Sequence, residues 1–148
     1  RTMAKRTAHY ELPYPIETVR PVVADPRQVG AALAFVEETE LRNGLPFWRL
    51  RTAMGAITGA EGLVVDYEVL PADVIHWRGS SPRLVSRGEI RLAPAGPSAT
   101  RVSFTLEMAG VGPASAIIEP LASLQIEGQM SHFVEQLQAV LEPTAYAS

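Results

Sequence analysis

The stretch Glu38-Thr-Glu-Leu-Arg-Asn-Gly-Leu-Pro-Phe-Trp-Arg-Leu50 decides the fold. Asn43-Gly44 tolerates the two positive φ angles of a type I′ turn, and alternating residues flank it on both sides. A two-residue turn there sets Glu38 opposite Arg49 and Thr39 opposite Trp48. One face then carries the opposite charges of Glu38 and Arg49. The other carries Thr39, Leu41, Trp48 and Leu50. Turn and chemistry agree, so a β-hairpin with one apolar face is expected.

Forward of the hairpin the same grammar continues. Strands are predicted at about 36–43, 46–56, 61–70, 73–80, 83–93 and 99–110, separated by turn residues such as Pro71-Ala72-Asp73, Ser80-Ser81-Pro82 and Pro94 to Ser98. Short connections between consecutive strands imply an antiparallel meander. The period of two sorts each strand into faces. Leu63, Val65, Tyr67 and Val69 oppose Val64, Asp66, Glu68 and Leu70, and Phe104 and Met108 oppose Ser103 and Glu107. The inner face is expected to hold Trp48, Met54, Tyr67, Trp77, Phe104 and Met108, with the smaller polar Thr39, Thr52 and Ser86 among them. Glu37 is the one acidic residue whose parity points inward, beside Leu50. The outward charges, from Glu38, Arg49 and Arg51 through Glu89 and Arg91 to Glu107, mix both signs as a solvated face does. Gly55, Gly59 and Gly62 are read as a mobile loop between strands.

Backward of the hairpin, Thr7 to Leu12 alternates as a half-buried strand, and Pro13 and Pro15 stop it. Two short helices are expected, Ile16 to Ala24 and Pro26 to Ala34, with Asp25 as N-cap and Pro26 as first helical residue of the second. Beyond Gly110-Val-Gly-Pro113 a long helix runs to about Glu142, and Pro143 is expected to end it. Its apolar residues form two stripes about half a turn apart: Ile117, Leu121 and Leu124, then Met130, Phe133, Leu137 and Leu141. Three explanations stand open. Pro120 starts a new helix, or Gly128 bends the helix, or the first stripe meets a partner subunit or a membrane surface.

Composition narrows the function classes. The 148 residues suit one domain, expected over residues 3–143, with 144–148 a flexible tail and Arg1-Thr2 an expression remnant before Met3. Hydrophobic residues are 47% and charged residues 20%, too apolar for a disordered chain. Zero cysteines exclude disulfides, thiolate metal sites and a cysteine nucleophile. A net charge of −3 without a basic stripe argues against nucleic acid. No apolar run reaches the roughly 18 residues that span a bilayer, and nothing resembles a secretory signal, so the expected compartment is the cytoplasm. His9, His76 and His132 have no companions at metal-ligand spacing, so no metal and no cofactor is expected.

The order strand, two short helices, six-strand meander, long helix resembles the START-like superfamily, also called SRPBCC or the birch-pollen-allergen fold. The resemblance rests on Tyr10-Glu-Leu-Pro-Tyr-Pro-Ile-Glu-Thr-Val19, on Arg87-Gly-Glu-Ile-Arg-Leu92 followed by Ala99-Thr-Arg-Val-Ser-Phe-Thr-Leu106, and on the helical Gly128 to Glu142. It is similar to the carbon-monoxide-dehydrogenase G-like, coenzyme-Q-binding and polyketide cyclase/dehydrase-like branches. The resemblance implies an α+β helix-grip fold: a curved seven-stranded antiparallel sheet gripping the last helix around a hydrophobic cavity.

Trp48, Leu50, Thr52, Met54, Tyr67, Trp77, Ser86, Phe104, Met108, Ile117, Leu121 and Leu124 are the expected ligand-binding residues. Apolar aromatic walls with a few polar groups are what small-molecule pockets are made of. The first expectation is a binder or carrier of a lipid, quinone or polyketide-like molecule. The second is a cyclase/dehydratase-type enzyme, for which Glu37 and Tyr67 are the only candidate acid–base groups. The third is an accessory protein that recruits a larger complex to a membrane through the Ile117–Leu124 stripe, and a homodimer is a further candidate partnership.

Overall fold

A computed structural model describes residues 4–147, leaving aside the side chains of 53, 57, 114, 121–125, 127 and 143–147. The elements in chain order are β1 (Ala4–Leu12), α1 (Ile16–Val23), α2 (Pro26–Ala32), β2 (Val36–Arg42), β3 (Leu45–Leu50), α3 (Thr52–Thr58), β4 (Gly62–Leu70), β5 (Val74–Ser80), β6 (Leu84–Pro94) and β7 (Thr100–Gly110). A short 3₁₀ turn, Gly112–Ala114, then leads into α4 (Ser115–Ala147). The sheet has seven strands in the order β1-β7-β6-β5-β4-β3-β2, every pair antiparallel. α4 lies against β1 and β7 on one side and α1 and α2 on the other. This is the helix-grip architecture.

The hairpin forms in the expected register, with Glu38 opposite Arg49 and Thr39 opposite Trp48. Asn43 and Gly44 take φ of 54° and 79°, the left-handed pair that a type I′ turn requires. The Asp25 carboxylate accepts from the Arg27 backbone N–H at 2.9 Å, capping α2 as its sequence position predicts. Arg49, however, pairs with Glu40 and Glu61 rather than with Glu38.

The structure corrects several expectations. Residues 46–56 are not one strand: β3 stops at Leu50, and Thr52–Thr58 form α3, capped by Gly59 in the left-handed conformation at φ 68°. The Thr58 hydroxyl donates to the Met54 carbonyl within this helix, so the stretch read as a mobile glycine loop carries a helical turn and its cap. Glu37 does not face inward. The register jumps between Val36 and Glu38, and this bulge leaves Glu37 exposed while Val36 pairs with Leu50 and is buried.

α4 is one helix from Ser115 onward, so Pro120 does not start it and Pro143 does not end it. Each proline removes one N–H from the helix, and the carbonyls thereby released, on Ala116 and Ala139, belong to solvent-exposed residues that water can serve. The expected tail is therefore helical through Ala147, and Ser148 lies outside the described residues. The described part of α4 buries one face. Ile118, Ile126, Met130, Phe133, Leu137 and Leu141 are all buried, a single face spread over about 140° at 100° per residue. Ile117 is 66% exposed and Gly128 is exposed, while the side chains of Leu121 and Leu124 lie outside the described residues. Among the described residues no helix is long and apolar enough to cross a membrane.

Candidate functional site

The concave face of the sheet is organised by a continuous chain of aromatic rings. Trp48 on β3 meets Trp77 on β5 edge-on at 5.7 Å and Tyr67 on β4 at 6.5 Å. Tyr67 stacks on Trp77 at 6.1 Å with planes 9° apart, which follows from their direct pairing across the strands. Trp77 leans on Phe104 of β7 at 6.0 Å, and Phe104 stacks on Phe133 of α4 at 4.1 Å. The period of two brings residues from four strands to one face, and α4 adds the last ring. Such ring pairs contribute about 0.5–1.5 kcal/mol beyond their area burial.

Neighbouring positions are small where these rings need room. A Cβ on Gly88 would overlap the Trp77 indole, which lies directly over that residue. A Cβ on Gly30 would stand 2.5 Å from Trp48 Nε1. That indole N–H donates to the Pro26 carbonyl at 3.2 Å and ties β3 to the start of α2.

Tyr67 is similarly committed. Its hydroxyl donates to the Val23 carbonyl at the end of α1 at 2.6 Å. Burial first, and the nearby Asp25 charge second, push its pKa well above the usual phenol value, so it stays protonated across ordinary pH. A phenol so held is a positioned donor. It is poorly suited to take up a proton. Glu37, the other acid–base candidate, is exposed to solvent.

The structure brings Trp48, Leu50, Met54, Trp77, Ser86, Phe104 and Met108 together in the interior, with Tyr67 partly buried beside them. Met54 reaches it from α3 rather than from a strand. Thr52 does not join them: as the first residue of α3 it is exposed. Ile117 does not join them either, because its neighbour Ile118 takes the buried position. Phe133 belongs to the ring chain yet was not among the expected site residues, although its place on the α4 stripe was visible in the sequence. Gln129, 7% exposed, was also missed; its side-chain oxygen accepts from the Phe35 backbone N–H at 3.2 Å.

Two depressions border the sheet, one of them reaching Trp77 and Gly88. One, of about 430 Å³, is bounded by Pro82, Arg83, Val111, Gly112 and Pro113 at the end of the sheet where Leu84 pairs with Gly110. There the Arg83 guanidinium lies beside the cap of α3, its Nη1 3.2 Å from where a Cβ on Gly59 would stand. The other, of about 420 Å³, is on the outer face among Lys5, Asp66, Glu68, Arg78, Arg87 and Glu107. Its mixed charges suit water better than an apolar ligand. No cluster of metal-ligating side chains occurs among the described residues.

Comparison with known proteins agrees with this architecture. The family model described as polyketide cyclase/dehydrase and lipid transport matches residues 3–142. No curated protein matches the chain. Among solved structures, the Zhui aromatase/cyclase from Streptomyces is 16% identical with a TM-score of 0.70, covering 95% of this chain and 94% of its own. A START superfamily protein from Mycobacterium smegmatis is 12% identical with a TM-score of 0.68, covering 94% and 97%. Norcoclaurine synthase from Thalictrum flavum, in complex with dopamine and hydroxybenzaldehyde, is 12% identical with a TM-score of 0.62, covering 95% and 87%. These likenesses show a common fold.

Proposed function

Because the chain belongs to the polyketide cyclase/dehydrase and lipid transport family, we propose that it binds a hydrophobic small molecule between the concave face of its sheet and α4. One observation carries this reading: the unbroken ring chain from Trp48 through Tyr67, Trp77 and Phe104 to Phe133. Aromatic walls with few polar groups are how proteins hold apolar organic ligands. The norcoclaurine synthase of the same fold holds two small aromatics, which supports an aromatic occupant here.

The rings touch one another, so a ligand enters by parting them rather than by dropping into an open shaft. The proposed entry is the end of the sheet beside Pro82, Arg83 and Val111, flanked by α3 and the first turns of α4. Binding is favoured over turnover because Glu37 is in solvent and the Tyr67 phenol is held protonated against Val23.

Native mass spectrometry of the purified chain tests the reading. The expected result is an adduct of apolar organic mass that is lost on denaturation. Tryptophan fluorescence should also report micromolar binding within a panel of polycyclic aromatics, quinones and fatty acids. A bare mass together with no response to any of them would overturn it.

A second reading, contact with an anionic lipid surface, is favoured by exposed Val111 and Ile117, 40% and 66% exposed, with Arg83 among the residues of the neighbouring depression. Flotation with anionic vesicles is expected to carry the protein upward, and Ile117→Glu is expected to abolish this. Failure of the unaltered protein to float removes the reading.

A further inference from the structure

Two polar atoms in the interior have no protein partner among the described residues: the Trp77 indole nitrogen and the Ser86 hydroxyl oxygen. Trp77 is 3% exposed and Ser86 0%. Native interiors pair such groups, or give them to an ordered water or a ligand, because an enclosed donor stripped of water and left unpaired is costly. The surrounding rings obey that rule, since Trp48 donates to Pro26 and Tyr67 to Val23. Trp77 and Ser86 are the exceptions, and they are neighbours.

The strand pairing fixes how near. Trp77 lies opposite Gly88, and Ser86 opposite Gly79. Ser86 therefore sits two residues along β6 from Gly88 on the same face, about 6.6 Å away along the strand. A Cβ on Gly88 would collide with the indole Cε2, the ring atom bonded to the N–H, so the nitrogen is held over this same strip of β6. Met108 lies opposite Ser86 on the other side, on β7, so the strip is apolar apart from the two donors. An indole N–H can only donate, and a serine hydroxyl donates freely. What is missing is an acceptor. An ionised carboxylate is a poor candidate, because burying its charge without a cationic partner costs far more than burying a neutral oxygen.

We infer that the Trp77 indole N–H and the Ser86 hydroxyl anchor a neutral oxygen, a ketone or quinone carbonyl, of a flat aromatic ligand. This rests on the hydrophobic-ligand reading and narrows it, away from fatty acyl chains and towards oxygenated polycyclic aromatics. The Tyr67–Trp77 stack supplies a planar wall for such a ring system, and the two donors set where its oxygen lies.

A matched pair of probes tests the anchor: 9-fluorenone and fluorene, nearly alike in shape and differing in the carbonyl. The chain has two tryptophans, so a ¹⁵N-labelled sample gives two indole N–H signals, assigned with Trp77→Phe or Trp48→Phe. Both probes are expected to bind, fluorenone about tenfold more tightly, as one to two neutral hydrogen bonds provide. Fluorenone should move the Trp77 indole proton downfield and leave that of Trp48 in place. Ser86→Ala should cut the fluorenone preference over fluorene about fivefold, and an unaltered circular dichroism spectrum and cooperative melting transition show that the variant is folded. Equal affinity for the two probes, with the Trp77 signal alike in both complexes, overturns the anchor while leaving hydrophobic binding intact, the two donors then being served by water. Binding of neither probe overturns the anchor together with the reading beneath it.

Discussion

Trp77 makes a narrow demand on its neighbour, because its ring covers the backbone of Gly88 across the strand pair. Gly88→Ala is expected to destabilise the fold by about 1–3 kcal/mol, the usual cost of forcing a packed ring from its place. Urea denaturation followed by tryptophan emission measures it, and a cost below about 0.5 kcal/mol, the scale of an ordinary surface substitution, would mean the ring shifts freely. Charge makes a different demand on the outer face. Arg42 and Arg49 both hydrogen-bond Glu61, and Arg42 also stacks on Phe47 at 3.8 Å. Hydrogen bonds from Arg42 and then Arg49 lower the Glu61 pKa from 4.5 to about 2. A carboxylate depressed in the folded state contributes stability that is full above its unfolded pKa and is lost as pH falls through the folded one. The melting temperature should therefore decline between about pH 4.5 and pH 2, and less steeply in Glu61→Gln. The group is exposed, so added salt should shrink the difference between the two proteins.

At the scale of elements, legibility followed local periodicity. The β2–β3 hairpin was readable because its turn residues and its alternation point to the same register. Glu37 was not, because parity counts residues and a bulge inserts one that has no partner. α3 was missed for a related reason. Thr52, Gly55 and Thr58 are weak helix formers, so the segment reads as the end of a strand running to 56 followed by a glycine loop. The helix is held by Met54 packing inward and by Gly59 closing its end. Gly59→Ala, forced into the left-handed region, should cost about 1–2 kcal/mol of thermal or urea stability. For α4 the stripe from Met130 to Leu141 is buried, and it continues towards the N-terminus through Ile126 and Ile118, while Ile117 of the other expected stripe is exposed. Phe133→Ala is expected to destabilise by about 3–5 kcal/mol, since its ring stacks on Phe104 and the space cannot close easily. A melting curve reads this directly.

For the whole molecule, a sheet curved around one helix makes stability and occupancy one quantity. A ligand that binds only the folded chain stabilises it by about 2.7 kcal/mol at a hundredfold excess over Kd. For a domain of this size that is a rise in melting temperature of roughly 5–10 °C. Differential scanning fluorimetry with 9-fluorenone should show it, and an unmoved transition at saturation would count against an interior site. The β2–β7 meander, the N-terminal helix pair and the inward positions Trp48, Tyr67, Trp77, Ser86, Phe104 and Met108 were legible in the sequence itself, whereas the pairing of β1 with β7 was not. Turn residues and a period of two are local properties, present in the chain before it folds. Whether an inward donor finds a partner is a different kind of fact. Trp48 and Trp77 are the same residue on the same face, yet one reaches the Pro26 carbonyl and the other reaches nothing among the described residues. The Glu37 bulge and the phase of α4 are facts of that second kind. They depend on contacts between segments far apart in the chain, such as Phe35 with Gln129, which no local pattern encodes. Tertiary packing alone decided them, and with them the place where a ligand oxygen is wanted.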